Sequence, residues 1–150
     1  MIGVLTREQI ENILKSQSIG RLACIDGHKP YVVPITYFYD GTYLYCQSQE
    51  GKKLSILRKN PHVCFQVDLV NSTQSWQSVQ VFGYFEELKD EDAEKAREKL
   101  FGSVFNLMTT SHSHHFEHEN SSTPELDDSN RIKQTMFKIV IKEVAGRYEK

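Results

Sequence analysis

The stretch Tyr43–Pro61, YLYCQSQEGKKLSILRKNP, decides how the rest of the chain is read. It reads as a strand, a short loop ending in Gly51-Lys52-Lys53, and a helix stopped by Asn60-Pro61. Two lysines at a helix start are electrostatically misplaced. The unpaired N–H groups there already carry partial positive charge, so acidic side chains are the usual occupants. An anion seated at that end would reverse the argument, because N–H groups and two ammonium groups would converge on one phosphate-sized ligand. Gly51 would let the backbone come close to it. A lone Gly-Lys-Lys is more often a pair of solvated lysines, so the flanking sequence has to decide.

The totals limit the field. A length of 150 residues suits one domain, 1–150, around one core. A net charge of -2 gives no general attraction to nucleic acid or to an anionic membrane surface, so any phosphate site must be local. The apolar runs are far too short to span a bilayer, and MIGVLTREQIENIL lacks the pattern of a signal peptide. Cys24, Cys46 and Cys64 are odd in number and sit in apolar segments. They read as reduced, buried core residues of a cytoplasmic protein.

Working outward, Thr6-Arg7-Glu8-Gln9 fits a capping box, followed by an apolar face of Ile10, Ile13 and Leu14. Ile19 to Ile25 predicts a strand, Asp26-Gly27 a hairpin turn, and Tyr31 to Tyr39 a second strand interrupted by Pro34. Thr42 to Ser48 returns as the third strand, after Asp40-Gly41. Beyond the helix from Lys52 to Lys59, Val63 to Val67 predicts a fourth strand, Asn71 to Ser75 a polar loop, and Trp76 to Leu88 a long strand with a bulge near Gly83. A charged helix from Lys89 to Leu100 and a last strand from Gln134 to Val144 complete the pattern. Six short strands with few helices predict a mostly β fold, a closed antiparallel barrel with helices at its edges.

The order of parts is specific: a strand hairpin, then S-x-x-G-K-K on a helix ending N-P, then a strand, then W-x-S-V-x-x-x-G. It resembles the FMN-binding split-barrel family that includes pyridoxamine 5′-phosphate oxidase, and within it the small proteins related to nitroimidazole-resistance reductases. Val32 to Ile35, Ser48 to Pro61 and Trp76 to Gly83 carry the likeness. The resemblance implies a six-stranded antiparallel split β-barrel and a homodimer with FMN at its interface. Lys52 and Lys53 would hold the FMN phosphate, with Ser48 and Gly51 nearby. Val33, Pro34, Ile35 and Thr36 would pass their backbone along the isoalloxazine edge. Cys46 and Gln47 would line the ribityl and phosphate path, and Trp76, Ser78 and Val79 would reach the partner subunit's flavin. Relatives with the nitroimidazole-resistance pattern usually carry histidine just before this serine, where this chain has Gln47, a departure that argues against direct nitroimidazole chemistry and leaves the implied FMN binding intact.

A flavin carries its own redox reactivity, so no side chain is required as catalytic acid or base, and none is assigned. The expected activity is reduction of a small organic electron acceptor with NADH or NADPH as donor. The rival, from another class, is a non-enzymatic flavin- or haem-binding module. Oxidation of B6 vitamers ranks below both, because VAGRYEK offers Arg147 but no tryptophan. Trp76 could equally be an interface aromatic. Arg58 and Lys59 fit the dipole of their helix end and need no ligand. His112, His114, His115 and His118 have a spacing that could hold a metal, but histidine-rich polar loops are ordinarily solvated, and no metal is assigned. The polar run from Ser111 to Asn130 predicts a loop that is mobile or partner-dependent and dispensable for flavin binding.

Overall fold

Thr6 starts the first helix as its sequence requires. Its Oγ1 accepts the Gln9 N–H at 3.2 Å, while the Gln9 side chain accepts the Thr6 N–H at 2.8 Å. The computed structural model describes residues 1–111 and 134–150. The elements in order are β1 (Ile2–Val4), α1 (Arg7–Ser16), β2 (Ile19–Asp26), β3 (Lys29–Tyr39), β4 (Tyr43–Ser48), α2 (Lys52–Lys59), β5 (His62–Ser72), β6 (Ser75–Glu87), α3 (Asp90–Ser111) and β7 (Thr135–Glu149). The histidines from His112 to His118, and nearly all of the loop predicted around them, lie outside the described residues.

Every strand pairing is antiparallel, and the sheet closes on itself in the order β7-β4-β3-β2-β5-β6-β7. Six strands make this ring, but among the described residues the strand count is seven, not the six expected. The additional strand is β1, which pairs Ile2 with Glu149 and Val4 with Arg147. β7 uses one edge for β6, so β1 and β4 share its other edge. Three residues cannot display an alternation, which is why β1 is invisible as sequence pattern. The polar loop expected at Asn71 to Ser75 is shorter, because β5 runs to Ser72 and β6 begins at Ser75. β7 continues five residues past Val144, and α3 extends to Ser111.

Gly83 sits at the expected irregularity. The register with β7 shifts between Phe82 and Gly83, and a Cβ there would lie 2.0 Å from the Val140 carbonyl oxygen. Only a residue without a side chain allows β6 and β7 to approach this closely.

The barrel interior takes alternate residues from each strand, among them Leu22, Tyr37, Leu44, Cys46, Phe65, Val79 and Phe137. Leu54, Ile56 and Leu57 of α2 close one side, and α1 contributes Ile10, Ile13 and Leu14. A second cluster packs Ala93, Ala96 and Leu100 of α3 on Met136. Cys24 and Cys46 are buried, whereas Cys64 is only half-buried.

Tyr37 packs edge-on against Phe65 at 5.1 Å and donates its hydroxyl to the Leu14 carbonyl at 2.7 Å, fastening α1 to the barrel. Burial pushes this phenol above its ordinary range, so it remains a neutral donor. Tyr37→Phe is expected to cost about 1 kcal/mol, a fall in melting temperature of about 2–4 °C, with the β signature in circular dichroism unchanged.

Candidate functional site

A cleft of ≈ 490 Å³ opens where β3, β4 and the start of α2 meet. Hairpin geometry brings β3 and β4 together, with Tyr37 opposite Cys46. The strand then ends at Ser48, and α2 begins at Lys52 after three intervening residues. Its first turn holds no acidic residue, and no side chain caps it. Gly51 is the N-cap, with φ 163 and ψ -156, an extended conformation open to any residue. A Cβ built at Gly51 would meet nothing within 4 Å. The backbone therefore does not demand glycine here, and its effect is to leave the approach to the helix end open.

Two ammonium groups flank that end. Lys53 is half-buried, and its Nζ donates to Ser48 Oγ at 3.3 Å. Lys52 is exposed, with Nζ 5.2 Å from the centre of the Tyr31 ring, a cation–π distance. Among the described residues, no Asp or Glu lines this cleft. Uncapped N–H groups, two cations, the Ser48 hydroxyl and described walls without a carboxylate give this cleft a chemistry suited to a compact anion.

Eight of the predicted site residues line this cleft: Pro34, Ile35, Thr36, Gln47, Ser48, Gly51, Lys52 and Lys53. Tyr31, Gln49 and Gln134 line it too and were not foreseen. Tyr31 precedes Val32 in the same strand, so an aromatic near the Pro34 break was its only sequence signal. Five predicted residues are absent from the lining. Val33 is half-buried against the core, and Cys46 and Val79 are wholly buried. Burial pushes the Cys46 thiol up, with only a partial downward pull from Lys53, so it stays neutral. Cys46 and Val79 can therefore offer the cleft only backbone.

Trp76 and Ser78 are half-buried on β6. Trp76 Nε1 donates to Glu149 at 3.0 Å and borders a separate cleft with Leu69 and Tyr148. The register runs Pro34–Arg21–Gln66–Gln80, so β6 lies three strand spacings from β3. At 4.7–4.9 Å per spacing the separation along the sheet is roughly 14 Å. Within one chain, Trp76 and Ser78 are not brought to the cleft.

A larger cleft, ≈ 550 Å³, lies between α3 and the ends of β6 and β7. It mixes Lys89, Lys95, Lys99 and Lys138 with Glu86, Glu87, Asp90 and Asp92, so its lysines meet neighbouring carboxylates. Among the described residues, the Lys52–Lys53 cleft has no such internal neutralisation.

Comparison with known proteins agrees with this architecture. The profile of the family described as pyridoxamine 5′-phosphate oxidase matches residues 6–148. An FAD-binding protein of Mesorhizobium loti is 32% identical, covers 100% of this chain and 99% of its own, and superposes with a TM-score of 0.69. A candidate 5-nitroimidazole antibiotic resistance protein of Bacteroides thetaiotaomicron has a TM-score of 0.70 at 21% identity, covering 99% of this chain and 87% of its own. An uncharacterised protein of Rhizobium meliloti is 39% identical over 87 residues, and the match spans 58% of each chain.

Proposed function

The chain belongs to the pyridoxamine 5′-phosphate oxidase family, and from that footing we propose that it binds FMN in the Lys52–Lys53 cleft and works as an NADH- or NADPH-dependent reductase. The observation that carries this reading is the uncapped start of α2, flanked by two lysines and Ser48 in a cleft with no carboxylate among its described lining residues.

The donor set suits a terminal phosphate. A phosphomonoester concentrates about -1.5 to -2 charges on one phosphorus at neutral pH, more than either single bridging phosphate of FAD, and two ammonium groups balance it. Lys53 is pre-positioned by Ser48, and Lys52 rests over Tyr31 within reach of the same end. The backbone of Val33 to Thr36 runs along the adjoining wall, where N–H and carbonyl groups can meet the edge of a flavin ring. Gln47 and the Cys46 backbone lie toward the ribityl chain, with Gly51 leaving the approach clear. Bound FMN would supply two-electron transfer from a nicotinamide donor to a small organic acceptor. The chain's own part is to bind, orient and partly shield that group.

Trp76, Ser78 and the Val79 backbone can take part only from a second copy, given their separation from the cleft. The outer face of β2, β3, β5 and β6 carries exposed Ile19, Val32 and Phe82 interspersed with Arg21, Gln66 and Gln80, a mixed surface open to a two-fold partner. A homodimer is therefore expected, and light scattering that gives a monomer at micromolar protein contradicts this part of the reading.

Anaerobic mixing with NADH or NADPH tests the activity. Protein reconstituted with FMN should lose its oxidised-flavin absorbance and regain it when an acceptor is added. Bound flavin that stays oxidised with both nucleotides identifies a binding module rather than a reductase. Failure to retain FMN defeats the flavin reading as a whole.

A further inference from the structure

Arg58 uses its whole guanidinium on two carboxylates from distant parts of the chain. Nη1 and Nη2 donate to the two oxygens of Glu50 at 2.9 and 2.7 Å. Nε and Nη2 donate to the two oxygens of Glu87 at 2.9 and 3.1 Å. Thr135 Oγ1 adds a hydrogen bond to Glu50 Oε1 at 3.1 Å. Glu87 ends β6 and Thr135 begins β7, so Glu50 is tied to the barrel and not merely to its own helix.

Glu50 immediately precedes the N-cap Gly51. An uncapped helix start attracts carboxylates, and Lys52 and Lys53 attract them further. Glu50 is the nearest carboxylate in the chain sequence, yet it makes no ion pair with either lysine and does not line their cleft. Its carboxyl is held below the usual range by the Arg58 hydrogen bonds, so it is fully charged at neutral pH. Left free, it would be a tethered competitor for any anion at this end.

We infer that Arg58 is a positioning residue which sequesters the Glu50 carboxylate and so keeps the helix end open to a ligand phosphate. The inference rests on the proposed FMN site and adds a residue that no contact with the ligand would reveal. The fork has to satisfy two carboxylates with parallel bonds, a geometry lysine cannot reproduce. Because the Arg58 and Glu50 side chains are 39% and 58% exposed, solvent screens the pair and limits its contribution to folding. Its consequence is for the cleft.

The test is equilibrium titration with FMN, and with riboflavin in parallel, of wild type, Arg58→Ala, Glu50→Gln and the double variant. Arg58→Ala is expected to weaken FMN by about tenfold and to leave riboflavin within about twofold. Glu50→Gln alone should stay within about twofold of wild type, because its charge is already sequestered, and in the double variant it should restore FMN affinity to that level. A double variant as weak as Arg58→Ala overturns the inference, since Arg58 would then act by its own charge or packing. Glu50→Gln alone tightening FMN by about tenfold also overturns it, since Glu50 would be opposing the ligand despite Arg58. If Arg58→Ala does not fold, the pair Arg58→Lys and Arg58→Lys/Glu50→Gln carries the same comparison. The wild-type arm separates the two levels: no preference for FMN over riboflavin defeats the phosphate site, and the Arg58 role with it, whereas a preference without rescue defeats the Arg58 role alone.

Discussion

Gly51→Asp is expected to stabilise the protein while cutting its FMN affinity by at least about a hundredfold. The two effects have one origin. The position is an N-cap in extended conformation with open space where a side chain would go. An aspartate there can accept the helix N–H groups that no side chain now caps, and it brings a negative charge to an end that has only lysines. Capping and dipole together stabilise by about 1 kcal/mol, which raises the melting temperature by about 2–4 °C in a chain of this size. The same carboxylate would occupy the place of the phosphate. Losing two charge-assisted contacts, at about 1.5–3 kcal/mol each, gives the stated loss before like-charge repulsion is added. Gly51→Ala separates charge from size, since a methyl group there meets nothing in the protein, and its FMN affinity should fall far less than that of Gly51→Asp. Thermal melting and FMN titration of the two variants check the pair of signs. A stabilised Gly51→Asp that binds FMN like wild type would place the phosphate elsewhere.

Lys53→Ala should weaken FMN by about tenfold or more and leave riboflavin nearly unchanged. Lys53 is the better anchored of the two lysines, half-buried and hydrogen-bonded to Ser48. Lys52 is exposed and lies over Tyr31, so Lys52→Ala should show the same pattern with a smaller loss. Riboflavin lacks the phosphate, and equal weakening of both ligands by Lys53→Ala would mean that the lysine acts on the ring or on folding.

Much of this molecule can be read from its residues, and the parts that cannot share a physical cause. The Thr6–Gln9 capping box, the helix Lys52–Lys59 and the irregularity at Gly83 are local features with local signals. β1 and the last five residues of β7 form because they pair with each other and β7 pairs with β6, a gain that no window of sequence displays. Burial inside the site follows strand alternation more strictly than family likeness suggests. Leu44, Cys46 and Ser48 share one face of β4, so Cys46 in mid-strand enters the core and Ser48 at the strand end reaches the cleft. Val79 and Val81 alternate inward in the same way. Arg58 fits its helix dipole, as the sequence suggests, but its partners Glu50 and Glu87 come from either side of the helix, one of them 29 residues away.

The most direct measurement is a crystal structure of the protein grown with FMN. The account predicts phosphate oxygens within about 3.2 Å of Lys53 Nζ and of backbone N–H groups in the first turn of α2. It also predicts the ring lying along Val33 to Thr36 and Trp76 of a second copy nearby. A phosphate seated instead among Lys89, Lys95, Lys99 and Lys138, or left in solvent away from α2, would contradict it.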